Sequence, residues 1–346
     1  MSLLARCAEE LFWLARYIER ASNLARIIEM HMAHDRGRDE DASWAWLVTL
    51  HADQERFQAI YGDDASFRNV IRFYVADLGN HGSVRFSLRA ARENARALRA
   101  VIPTEMWNHL NEFYNRLMLV SDAELEPVRL WRTCAQIKDG CYAQIGVAES
   151  TLYRDEGWRF FRLGLMLERA DQTSRLLDVK FAQMATGEQA ERAVDATFWA
   201  LVLRSAAAYQ AFVRLEHRGA DPSRVARFLL VNSSHPRSVV YSVMQMKALL
   251  NELRVGYNLR QSRFAEERIE LLMETLQQVN AERDLVRRLH AINDSIQRSL
   301  IDLTDVLNRS FFGHAPPAGQ SQSQTSGSQS QAQSQSSTSG AGTATA

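Results

Sequence analysis

ERASNLARIIE, Glu19 to Glu29, returns 149 positions later as ERADQTSRLLD, Glu168 to Asp178. Read as a helix, the first copy sets Glu19, Asn23 and Arg26 at i, i+4 and i+7, on one face of a 3.6-residue helix. The second copy sets Glu168, Gln172 and Arg175 at the same spacing. Phe12 and Met30 project onto the first face, Phe161 and Val179 onto the second. Exposed helix faces stay polar along their length. Large apolar residues at both ends of each row therefore predict that the rows are partly buried. A separate apolar stripe, Leu11, Leu14, Ile18, Ala21, Ala25 and Ile28, gives the first helix a core face, and Leu163, Leu167, Ala170, Ser174 and Leu177 do the same for the second.

The repetition extends beyond this helix. RFYVADLGNHGSVRFS, Arg72 to Ser87, aligns with RFLLVNSSHPRSVVYS, Arg227 to Ser242, at an offset of 155. Trp44 and Trp46 in one half and Trp199 in the other agree loosely between the blocks. Such order predicts a helical bundle of two similar tandem halves, an internal duplication spanning about 1–150 and 151–312, with the two Glu-Arg helices near a local two-fold axis. Helical periodicity covers the first half at 3–32, 42–61, 67–75, 84–101, 104–120 and 127–148. In the second half it covers 157–186, 190–217, 222–230, 239–257, 264–279 and 282–310. Runs of alternating β-branched residues are missing, so the fold class expected is all-α. From Ala315 onward the chain has no charged or bulky apolar residue. The segment 313–346 is expected to be a disordered Gln/Ser-rich tail, because it cannot bury enough surface to offset its ordering entropy.

The chain has 346 residues, 46% hydrophobic and 24% charged, enough apolar material for a substantial core. A formal net charge of +0 gives nothing that draws it to nucleic acid or an anionic membrane. Of 41 basic residues only Lys138, Lys180 and Lys247 are lysine, a bias that coding preference explains, with planar anion recognition as the alternative. Three cysteines, Cys7, Cys134 and Cys141, without CxxC spacing, indicate neither a disulfide framework nor a zinc site, and fit a reducing cytoplasm. No apolar run approaches the ~20 residues of a membrane span.

Arg85, Arg89, Arg92, Arg96 and Arg99 form a second constellation, five guanidinium groups along one helix face with Glu93 beside them. The matching positions of the second half hold Val240, Met244, Lys247, Asn251 and Arg254, so the stripe is mostly lost there. Acidic ligands would suit it, since arginine binds carboxylate or phosphate bidentately. Ion pairs to acidic residues on neighbouring helices would answer it equally well. For the two rows, cross-paired bridges of Glu19 with Arg175 and Glu168 with Arg26 could fix how the halves dock, against a ligand or catalytic role for Glu19 and Glu168. No Glu-x-x-His pair, phosphate loop, dinucleotide fingerprint or nucleophile elbow is present, so no metal or cofactor is expected. His31 with His34, and Glu105 with His109, are expected to be ordinary helix residues.

The opening ARCAEELFWLARYIERASNLARIIE, the block SVRFSLRAARENARALR and the later FRLGLMLERADQTSRLLDVKF resemble the bacterial alpha-E family over about residues 1–312. The resemblance implies an all-helical protein encoded beside circularly permuted ATP-grasp proteins and transglutaminase-like peptidases, in a system that makes or modifies peptide amide bonds. Carried over by position, its motif residues are Glu19, Arg20, Asn23, Arg26, Arg89, Arg92, Glu93, Asn94, Arg96, Glu168, Arg169, Asp171, Gln172 and Arg175. Leu165, where a second arginine is expected ahead of Glu168, and Val240, after the Ser-Val pair, depart from the pattern and put the second half's polar contacts in question. The function expected is an accessory helical protein that binds an ATP-grasp ligase or its acidic or peptide ligand through the Glu-Arg rows and the stripe. Alternatives are an enzyme using Glu19 or Glu168 as acid or base on an amide or amino group, and a homodimeric scaffold.

Overall fold

In the computed structural model, residues 4–35, 44–185, 196–217 and 219–313 are described; the expected tail from 314 lies outside them. Among the described residues there are fourteen α-helices and no strand. The first seven are α1 (Ala5–Asp35), α2 (Ala45–His51), α3 (Gln54–Tyr61), α4 (Phe67–Ile71), α5 (Val84–Ala97), α6 (Thr104–Met118) and α7 (Pro127–Thr151). After them come α8 (Glu156–Ala185), α9 (Ala196–Ser205), α10 (Tyr209–Leu215), α11 (Pro222–Val231), α12 (Val239–Gly256), α13 (Ser262–Ala281) and α14 (Leu285–Leu307).

Helices α1 and α8 form the axis of the molecule and pack directly on each other. α5 and α7 flank α1, with α6 bridging them, while α12 and α14 flank α8, with α13 bridging them. Because α1 is surrounded, its expected core stripe is buried throughout, and so is the stripe on α8. The axis helices touch at Gly164, where an added Cβ would lie 2.1 Å from the Phe12 carbonyl oxygen. Only a residue without a side chain allows that backbone approach.

Two expected helices, 42–61 and 190–217, are each broken in the middle. Ala52 (φ 55°) ends α2 and Ala207 (φ 51°) follows α9, both in the left-handed region. The bonds that close the two turns match: the Ala52 and Asp53 amides donate to the Thr49 and Val48 carbonyls, and those of Ala207 and Ala208 to Arg204 and Leu203. A left-handed alanine costs about 1–2 kcal/mol. The turns are stabilised by what they bury, Leu47, Val48 and Leu50 in one, Val202 and Leu203 in the other.

The loops ahead of α5 and α12 also share a hydrogen-bond pattern. The Ser83 hydroxyl accepts from the Phe86 amide at 3.1 Å and donates to the Asp77 carbonyl, and Ser238 does the same with Tyr241 (3.1 Å) and Asn232. Each serine is an N-cap that ties its helix back to the preceding loop.

Candidate functional site

Because α1 and α8 cross with matching faces inward, the two polar rows meet. Asn23 Nδ2 donates to Gln172 Oε1 at 3.0 Å across the interface. One turn earlier on each helix, the acid-arginine dipeptides exchange partners. Arg20 binds Glu168 through Nε (2.7 Å) and Nη2 (3.0 Å), and Arg169 binds Glu19 through Nη2 (3.0 Å) and Nε (3.3 Å). Each carboxylate takes a second guanidinium: Arg16 at 2.8 Å for Glu168, Arg237 at 2.6 Å for Glu19.

The cross-pairing expected from the sequence is thus made, but with different arginines. Arg26 instead donates to Asn23, Ser22 and the Tyr142 hydroxyl, and Arg175 to Asp171. The physical reason is reach. Arg26 and Arg175 lie two turns from the glutamate on their own helix, and each bonds a residue one turn back, whereas Arg20 and Arg169 adjoin the glutamate of their own helix and reach the other helix's carboxylate. Leu165 leaves Glu19 without the contact that Arg16 gives Glu168, and Arg237 supplies it from the loop before α12. Glu19 thereby has two guanidinium partners, as Glu168 does.

Both glutamates are fully buried. Burial alone would raise their pKa values, but the Arg169 and Arg237 guanidiniums hold Glu19 far below the usual carboxylate range, and Arg20 with Arg16 holds Glu168 at about 2. Two ionised carboxylates with fourfold guanidinium contact make a closed charge network.

A cavity of about 130 Å³ opens on the Glu168 side. Arg16 and Arg20 of α1 and Asp171 and Arg175 of α8 form one wall. His51, Asp53 and Arg56, placed by the break at Ala52, form a second, and Asp305 and Asn308 close it from the end of α14. Burial, aided by the nearby Arg175 and Arg20 charges, lowers His51 to about 3, so it is neutral. Burial likewise raises Asp53, against the pull of Arg56 at 3.7 Å and the Tyr74 hydroxyl at 3.1 Å. Across the axis, the position matching Gly82 in this cavity holds Arg237, whose side chain runs to Glu19.

The family model described as a predicted alpha-helical domain with a conserved ER motif matches residues 3–312. The chain belongs to the Alpha-E family. An ER dipeptide, Glu19-Arg20 or Glu168-Arg169, begins each of the exchanged rows. Similar curated proteins are an uncharacterized protein of Mycobacterium bovis and two of Mycobacterium tuberculosis, each 25% identical over 327 residues, 87% of this chain. The Alpha-E chain spans only 36% of the length of those relatives. No solved structure matches it.

None of the arginines in the stripe of this Alpha-E protein lines the cavity or bonds the rows, although Arg89 lies over the ring of Phe86 in the cavity wall at 5.2 Å. Arg85 donates to the Val120 carbonyl and Arg89 to that of Leu78 at 3.3 Å. Arg92 bonds Asn111 at 2.8 Å and Glu93 at 2.9 Å, and Arg96 pairs with Glu93 at 2.6 Å. Arg92 and Arg99 also lie over Trp107, at 5.6 and 5.2 Å. Carbonyls, rings and the stripe's own Glu93 answer it, rather than carboxylates of neighbouring helices, because α6 offers tryptophan, tyrosine and asparagine to this face. Asn94 turns the other way and bonds the Glu10 carbonyl at 3.3 Å.

Sequence reasoning missed Arg16, Arg237 and the His51, Asp53, Arg56 set. Arg16 sits one turn before Glu19 and Arg20, a signal the sequence carried. Arg237 stands in a loop opposite a glycine and carried none. Of the histidines expected to be ordinary helix residues, His31 lies against Trp46 with ring centroids 3.7 Å apart, His109 bonds Gln144 at 2.7 Å, and the side chain of His34 lies outside those described. Among the described residues, no group of three or more His, Cys, Asp or Glu side chains is arranged to hold a metal, and no helix is long and apolar enough to cross a membrane.

Proposed function

We propose that this Alpha-E chain is a non-catalytic, accessory helical component of a peptide synthesis or modification system of the kind the family resemblance implies. In that role it binds a circularly permuted ATP-grasp ligase, with a transglutaminase-like peptidase as a further partner, or presents them with a peptide-like ligand. The observation that carries this reading is the state of the two glutamates. A general base works best with a pKa near the operating pH, and paired guanidiniums hold both Glu168 and Glu19 well below the usual carboxylate range. Each is capped by two guanidiniums in a sealed interface, which suits an anchor and not an acid or base. The polar rows are also satisfied within one chain, so a homodimer interface would use another surface.

The greater length of the mycobacterial relatives supports the partner half of this reading, because there the helical region is joined to further chain. Matching rows, matching alanine turns and matching serine caps support descent of the two halves from one duplicated unit. Pull-down of the ligase encoded alongside, with ligase turnover measured in the presence and absence of this protein, tests the proposal. Capture or altered turnover is expected, and neither occurring would remove it.

A further inference from the structure

Part of the cavity's lining is not repeated in the second half. At the 155-residue offset, His51, Asp53 and Arg56 meet Ala206, Ala208 and Ala211, and Gly82 meets Arg237. The His51, Asp53 and Arg56 set is kept on one side only, around the void. Four guanidiniums, Arg16, Arg20, Arg56 and Arg175, are balanced by Asp53, Asp171, Asp305 and the Glu168 carboxylate behind the wall, while His51 is neutral. Three groups remain unanswered: Asn308, 2% exposed, has no partner for either amide atom, and neither the buried Asp305 Oδ1 nor His51 Nε2 has one. Buried polar atoms are nearly always paired, and an amide beside a carboxylate invites a donor-rich cation. The α1 and α8 wall offers arginines whose remaining N–H groups suit a carboxylate.

We propose that the cavity binds a free α-amino acid, its carboxylate against Arg16, Arg20 and Arg175 and its ammonium against Asp305 and Asn308. The size agrees, since cavities on the order of 150 Å³ hold a benzene-sized molecule. Charge balance selects the zwitterion over phosphate: a dianion would leave an already neutral site with unpaired negative charge, whereas a zwitterion adds none. The inference deepens the ligand half of the proposed function and rests on it for its setting. Ligase capture does not require the free amino acid, so the two can fail separately.

Titration calorimetry of the full chain with glycine, alanine, glutamate, lysine and phenylalanine, beside acetate, methylamine and inorganic phosphate, tests it. At least one amino acid is expected to bind tenfold or more tightly than acetate, methylamine or phosphate. Gly82→Arg fills the void with the residue found across the axis, at a backbone that is not left-handed and whose added Cβ lies 3.3 Å from Asn80 Oδ1. It should weaken binding at least tenfold. Asn308→Leu, which removes the unpaired amide, should weaken it equally while the melting temperature holds or rises. Absence of amino-acid binding, phosphate binding more tightly, or unchanged affinity in Asn308→Leu would each overturn the proposal.

Discussion

Arg20 and Glu168 are joined by two parallel hydrogen bonds, at 2.7 and 3.0 Å, across an interface in which the glutamate has no solvent exposure. The bidentate geometry fixes both the angle and the register of α1 on α8. Breaking one partner of a buried pair costs more than the pair contributes, because it strands the other charge. Glu168→Gln keeps the shape, removes the charge and leaves Arg16 and Arg20 facing each other. Its expected cost is about 3–5 kcal/mol by urea unfolding, with Glu19→Gln close behind through Arg169 and Arg237.

Gly164→Ala should be costly for a different reason. Its methyl group would meet the Phe12 carbonyl oxygen at 2.1 Å, so α1 and α8 must separate. Overpacking of this kind costs about 1–3 kcal/mol or more. Gly146, exposed on α7 with nothing near its missing Cβ, is the control. Gly146→Ala should stabilise by about 0.5–1 kcal/mol. Equal effects of the two substitutions on the unfolding midpoint would contradict the close crossing.

Acid should destabilise the protein in two stages. His51 and His235 have folded pKa values lowered by burial to about 3 and about 4, from an ordinary 6.5. The unfolded chain therefore takes up their protons first, and stability begins to fall as pH drops below about 6.5. Glu168, lowered to about 2 from 4.5, contributes stability that is complete above about pH 4.5 and lost as pH falls toward 2. Melting temperature measured from pH 8 to pH 3 should show both limbs. The double variant His51→Asn, His235→Asn should flatten the upper limb and leave the lower one.

Much of this was legible in the sequence. The Glu19 and Glu168 rows announced their own burial, because apolar residues bracketed them at helical spacing, and the long helices followed from periodicity and scarce proline. The breaks at Ala52 and Ala207 were hidden, since alanine is the best helix former and only tertiary packing forces it left-handed. The partners of the glutamates were misassigned because single-helix geometry ranks residues by shared face. The packed pair selects instead the arginines that reach across to the other helix's carboxylate, here Arg20 and Arg169. The cavity was missed because its walls come from five separate segments. One clue was present in the contrast of His51, Asp53 and Arg56 with alanines 155 positions on, but it gains meaning only once the positions are seen to surround a void.

The central claim, that the exchanged ER dipeptides lock α1 to α8, is tested most directly by a double-mutant cycle on Arg20 and Glu168. Unfolding free energies of the wild type, Arg20→Met, Glu168→Met and the double variant give the coupling. The account predicts a favourable coupling of about 1.5 kcal/mol or more, as measured for close buried charge pairs. A coupling within about 0.5 kcal/mol of zero, the range of independent sites, would contradict it.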